Sequence, residues 1–273
     1  MLKTEERNAK TMHVDKMSTS DMLAIMQEEN ANAVKAVALA QDSIANAVDE
    51  ISLRMAKGGR LFYVGCGTSG RLGVLDASEC PPTFGVPSDL VVGIIAGGDK
   101  ALRNAIEGAE DNAIAGANDL SEFSVTDCDS VVGISVAGGA EYVLGAIRYA
   151  KERGALTVGI SSNDGSKLLA ISDIPIFTDT GAEVITGSTR MKAGTAHKMI
   201  LNMISTAVMI KQGYVYENLM INLKPTNKKL KQRMVRITAT LTGTDEKTAE
   251  ILLENNDFNI RNAVANYKQN STL

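Results

Sequence analysis

Two periodicities divide the chain. Over the first 57 residues apolar positions recur at helical spacing. Met22, Leu23, Ile25 and Met26 follow Ser18 and Ser20, either of which can cap a helix. Val34, Val37, Ala38, Ile44, Val48 and Ile51 form the stripe of a second helix, predicted over residues 31–57. From residue 60 the pattern changes to short unbroken apolar runs at 60–64, 90–95, 130–135, 156–160 and 174–177. Runs without alternation fit strands covered on both faces. Helical segments, 141–153 among them, lie between several of these runs, and such alternation predicts an α/β fold with a doubly wound parallel sheet. A long amphipathic helix is predicted over 186–211. Beyond Pro225 smaller polar helices are predicted near 227–241, 245–254 and 259–267. The expected organisation is an N-terminal helical segment (1–57), a sheet domain (58–223) and a small C-terminal helical bundle (224–273).

Composition narrows the function classes. The chain has 273 residues, with 28 Lys and Arg against 32 Asp and Glu, so a general nucleic-acid binder is not expected. The three cysteines, at 66, 80 and 128, match no zinc spacing, and their odd number argues against a disulfide framework. With histidine only at 13 and 197, a histidine metal site or a Ser-His-Asp triad lacks parts. Proton transfers in an enzyme of this composition fall to carboxylates. The first 30 residues carry no apolar signal core and no run of about 18 apolar residues occurs, so no membrane partner and a cytoplasmic location are expected.

Four places could carry chemistry. The first is Gly65-Cys66-Gly67-Thr68-Ser69-Gly70-Arg71, in the loop after the first strand, where ligands of open parallel sheets bind. Its glycines let backbone N–H groups approach an anion beside a helix N-terminus, although a purely structural strand-to-helix turn uses the same residues. The second is Glu79, just ahead of Pro81-Pro82: the pair gives a carboxylate rigid support, and equally makes a helix stop. In the third, Glu107, Glu110 and Asp111 crowd about one helical turn, which suits a general acid or base if shielded and a solvated helix end if not. The fourth is the stretch 181–195. Thr186, Ser188 and Thr189 can cap the long helix, whereas Arg190 and Lys192 oppose its dipole unless an anion compensates. His197 reads as helix packing, Cys66 has no assigned role, and the basic run 224–236 reads as a solvated helix face.

Residues 65–83 and 181–195, with Thr4-Glu5-Glu6-Arg7-Asn8, Met17-Ser18-Thr19 and Asn218-Leu219-Met220, resemble the N-acetylmuramic acid 6-phosphate etherase family of the sugar isomerase (SIS) fold. The stretch 181–195 is also similar to the signature of the glucokinase regulatory protein. The resemblance implies a cytoplasmic homodimer with a C-terminal bundle similar to a ubiquitin-associated domain. It also implies a lyase acting on an open-chain phosphosugar without metal or redox cofactor. A proton leaves C2, the C3 ether departs as D-lactate, and water adds to give N-acetylglucosamine 6-phosphate. The family's catalytic pair falls on Glu79, as donor to the ether oxygen, and Glu110, as partner acid/base. Substrate binding falls on Gly67, Thr68, Ser69, Arg71, Gly138, Gly139, Glu183, Ser188, Thr189, Arg190 and Lys192.

One loop departs from the family. Etherases carry Ser-Gly-Arg-Thr-Pro after the third strand; this chain has Ala137-Gly138-Gly139-Ala140-Glu141. Two hydroxyls and a guanidinium that would hold phosphate are gone, each such charge-assisted bond being worth about 1.5–3 kcal/mol. Two further readings follow: an SIS-fold sugar-binding or regulatory paralogue without turnover, and an enzyme for a sugar lacking the 6-phosphate. The intact Glu79 and Glu110 favour an enzyme, since a pure binder has less use for both.

Overall fold

The structure, a computed structural model, describes residues 2–225 and 227–270. Met1, Thr226 and residues 271–273, which belong to the expected terminal helical segments, lie outside the described residues. The chain forms two compact units: 1–77 with 89–208, and 78–88 with 209–273.

In the first unit three one-turn 3-10 segments precede helix α1 (Thr19–Leu39), whose first turn is capped by Ser18 Oγ accepting from Asp21 N at 3.2 Å. Helix α2 (Gln41–Met55) follows directly. The helix expected over 31–57 is therefore broken. Ala40, at φ −89° and ψ 4°, leaves helical geometry, so each half turns its own face inward. Ala33, Ala36 and Val37 are buried on α1, and Ile44, Ala47, Val48 and Ile51 on α2, while Val34 and Ala38 of the expected stripe are exposed. No Gly or Pro marks the break; packing sets it.

The sheet comprises β1 (Leu61–Gly65), β2 (Val91–Ile95), β3 (Ser130–Ile134), β4 (Leu156–Ser161) and β5 (Ile174–Phe177), all parallel, in the order β2-β1-β3-β4-β5. Its connections carry helices α3 (Gly67–Phe84), α4 (Lys100–Arg103), α5 (Ala113–Ser121), α6 (Glu141–Glu152) and α7 (Lys167–Ile171), and α8 (Lys192–Lys211) follows β5. Strand order reverses between β1 and β3, and Gly65 pairs with both Ile95 and Ile134, so the loops after β1, β2 and β3 leave from one level. At the other end the buried Asp129 accepts from Arg60 N (2.8 Å), Arg60 Nη2 (2.9 Å) and Thr126 N (2.8 Å), tying the starts of β1 and β3. Burial opposes its charge, yet these donors hold its carboxyl below the usual range.

Two expected helix ends move. Pro81 and Pro82 lie inside α3, which continues to Phe84; their missing N–H groups delete two rungs on the turn carrying Glu79 without ending the helix. Gly85, at φ +65°, ends it. The long helix starts at Lys192 and not at Thr186, for a reason that lies in the site.

In the second unit α9 (Lys228–Thr242), α10 (Glu246–Glu254) and α11 (Ile260–Asn270) bury Met234, Ala249, Leu253, Ile260 and Ala263. A two-stranded hairpin, β6 (Val215–Tyr216) and β7 (Leu219–Met220), precedes them. Among the described residues no helix is long and apolar enough to cross a membrane.

Helices α5 and α6 meet through glycine. A Cβ on Gly116 would lie 1.9 Å from the Tyr142 carbonyl oxygen, and one on Gly145 would lie 2.0 Å from that of Ala113. Gly145→Ala should therefore destabilise by about 2 kcal/mol although helix propensity favours Ala by about 1. Denaturant unfolding measures this, and a more stable variant would contradict the packing.

Candidate active site

The loop leaving β1 is built for a tight return. A Cβ on Gly65 would come within 2.6 Å of Gly70 N, and Gly67 takes φ +51°, so glycine is needed at both. Gly67 and Arg71 line a cavity of about 190 Å³ together with Cys66, Asn104, Glu107 and Glu110. The Arg71 guanidinium donates to the carbonyls of Ala101 (2.7 Å), Leu102 (3.0 Å) and Asn104 (3.2 Å), which makes it a brace for the cavity wall. Ser69 is buried, and Thr68 is half-buried with its methyl 3.5 Å from the place of a Cβ on Gly194. The β1 loop therefore sits against the start of α8.

Glu110 stands exposed on a 3-10 turn, Ala109–Asp111, set up by Gly108 at φ +71°, where the spacing predicted a regular helical turn. Burial pushes the Cys66 thiol up to about 12, and the charges of Glu110 and Asp111 add to the shift. Cys66 is thus a neutral thiol and no nucleophile. Glu79 is exposed on α3, next to the buried Cys80, and belongs to the second compact unit, whereas Glu110 belongs to the first.

The stretch 181–195 holds the answer to its own unfavourable charges. Glu183, fully buried, accepts from Lys192 N at 3.1 Å and Ala193 N at 3.0 Å. The anion that the dipole demands is this side chain, and it starts α8 at Lys192, where Thr186, Ser188 and Thr189 were expected to cap. The Lys192 side chain is only 1% exposed as a residue and its ammonium pairs with Glu29 on α1, which is 3% exposed. Burial opposes the Glu29 charge, but Lys192, Asn8 and Lys10 hold its carboxyl below the usual range. Ser188 and Thr189 remain half-buried and Arg190 exposed. Sequence reasoning missed Glu29. Its signal was present: an acid in register with the buried Ala33 and Ala36 at helical spacing.

After β3, Gly138 takes φ +69°, and its N–H donates to Ser135 O (3.0 Å) and Oγ (3.1 Å). A Cβ there would lie 2.3 Å from Ser166 Oγ, so only glycine fits; Gly139 is open on all sides. Glu141 does not stand alone: Lys167 Nζ lies 2.9 Å and Arg148 Nη1 3.8 Å from its carboxylate, and the Lys167 hydrogen bond holds its carboxyl below the usual range. His197 is wholly buried, with Nε2 3.1 Å from Ser162 Oγ, which lies 2.9 Å from Thr178 Oγ1. Its Nδ1 has no partner among the described residues, in keeping with a packing role.

A parallel sheet whose strand order reverses between β1 and β3, with a cavity lined by residues of the loop that leaves β1, defines a doubly wound α/β protein of the class that binds ligands at its strand ends. Residues 43–151 match the glucokinase regulatory protein N-terminal SIS domain. Among solved structures, the fold is that of a phosphoheptose isomerase from Francisella tularensis (TM-score 0.56, 20% identity, 70% of this chain and 98% of that one). A phosphoheptose isomerase from Neisseria gonorrhoeae gives TM-score 0.51 at 17% identity, over 70% and 98% of the two chains. The chain belongs to the N-acetylmuramic acid 6-phosphate etherase family. It is 54% identical to the member from Caldanaerobacter subterraneus subsp. tengcongensis over 96% of this chain and 85% of that protein. It is 49% identical to the member from Lactobacillus gasseri over 100% and 92%.

Burial lowers the His197 pKa to about 4 from an ordinary 6.5. Below pH 6.5 the unfolded chain takes up the proton and the folded chain refuses it. Stability should thus fall between pH 6.5 and 4, by up to roughly 3 kcal/mol. Unfolding of His197→Gln across that range should lack this component; equal slopes in both proteins would contradict it.

Proposed function

We propose that this chain cleaves the D-lactyl ether of N-acetylmuramic acid 6-phosphate, giving D-lactate and N-acetylglucosamine 6-phosphate. The observation that carries the reading is 48–54% identity to etherases over 91–100% of the chain. The cavity holding Gly67, Arg71 and Glu110 at the strand ends supports it.

In the open-chain sugar the C2 proton is acidic because the C1 aldehyde delocalises the carbanion. Its removal expels the C3 oxygen, leaving a C2–C3 double bond, and water adds at C3 as a proton returns to C2. Glu79 protonates the departing lactyl oxygen, and Glu110 moves the C2 proton. Gly67, Thr68, Gly139, Ser188, Thr189 and Arg190 contact the substrate. Ser69, Arg71, Gly138, Glu183 and Lys192 are buried or already bonded and serve by fixing those segments. Phosphate is held by Arg190 and by Lys167, for which it competes with Glu141. The enzyme works in the cytoplasm as a homodimer, with exposed Leu23 and Leu39 on α1 supporting contact with a second copy.

Purified protein should release lactate from N-acetylmuramic acid 6-phosphate, and Glu79→Gln or Glu110→Gln should each lower kcat by about 10²–10⁴-fold. No lactate at saturating substrate would overturn the reading. Ala137→Ser with Ala140→Thr should lower KM by supplying hydroxyls to the phosphate; an unchanged KM would remove the phosphate from that loop.

A further inference from the structure

The N-terminal segment is not a loose leader to α1. Thr4 is fully buried, and its Oγ1 accepts from Asn163 Nδ2 at 2.9 Å just beyond β4. Lys3 Nζ lies 2.5 Å from Asp179 Oδ2 beyond β5, and Thr11 Oγ1 donates to the Val184 carbonyl at 2.8 Å. Between these anchors Asn8 makes a junction. Its Nδ2 donates to Glu29 Oε2 at 2.7 Å and to the Ala182 carbonyl at 3.2 Å, while Glu29 is the counter-ion of buried Lys192. One amide thus couples the backbone at the start of segment 182–191 to the ion pair at its end.

We propose that Asn8 is a positioning residue of the etherase reaction. It fixes segment 182–191, and with it Ser188, Thr189 and Arg190, without touching the substrate. The inference rests on the assignment of those three residues to substrate under the proposed function. Among the described residues the Asn8 side chain bonds to Glu29, to Ala182 and to its own turn at Lys10, so its loss should change substrate binding and leave the chemical step alone. The N-terminal strap is then part of the binding site although it carries none of its contacts.

The test compares Asn8→Ala and the near-isosteric Thr11→Val with wild type, by lactate kinetics and by hydrogen–deuterium exchange of residues 182–191. Asn8→Ala should raise KM about tenfold, the size of one hydrogen bond to a charged group, with kcat within twofold. Thr11→Val should raise KM less, and both should speed exchange in 182–191 while β1 and β3 stay protected. A merely structural role would lower the melting temperature and the active fraction with KM unchanged, and that result overturns the proposal. Unchanged exchange in 182–191 would do so too. If wild type released no lactate, the functional reading would fail separately, and the exchange data would still decide whether Asn8 holds the segment.

Discussion

The buried carboxylate of Glu183 at the start of α8 is the contact on which the site depends. It satisfies two N–H groups that a helix start leaves open, and it does so from a fully buried position. Lys192, in the same turn, would be a buried and unpaired cation there were it not for Glu29, and removing one partner of such a pair costs about 3–5 kcal/mol. Three segments distant in sequence, residues 3–11, α1 and 182–192, are therefore held as one object. Burying a pair of charges is a poor way to gain net stability. It is a good way to allow one geometry only, which the substrate role proposed for segment 182–192 requires.

The same logic separates the polar residues of the site into two kinds. Arg71, Lys192 and Gly138 have their donors engaged within the protein, by carbonyls, a carboxylate and a serine respectively. Thr68, Ser188, Thr189 and Arg190 retain exposure. A scaffold that engages such donors internally holds its loops in place, so that the substrate binding proposed for them would not have to order them.

Much of this was legible in the amino-acid sequence because it rests on local rules. Unbroken apolar runs marked β1 to β5 because both faces of the sheet are covered, and the glycines of the loops after β1 and β3 answer to a close backbone approach at Gly65 and to positive φ at Gly67 and Gly138. Lys192 pointed to an anion at the helix start, which Glu183 supplies, whereas Arg190 precedes α8 and lies outside the first turn expected for it. What was not legible depends on contacts remote in sequence. That Glu183 supplies the anion, that Glu29 faces inward, that α1 ends at Leu39 and that α3 runs through Pro81 and Pro82 are settled by packing partners, not by local propensity. Glu141 shows the same limit: no local pattern marks Lys167, 26 positions away, as its neighbour.

The chemistry proposed for the protein is an elimination followed by addition of water, run by carboxylates at this site. Running the purified protein on N-acetylmuramic acid 6-phosphate in deuterated, oxygen-18 water and reading both products by mass spectrometry and NMR tests it most directly. The account predicts one deuterium at C2 and solvent oxygen at C3 of N-acetylglucosamine 6-phosphate, with lactate keeping the ether oxygen. Solvent oxygen in the lactate and an unexchanged C2 would show direct displacement at the lactyl carbon and contradict it.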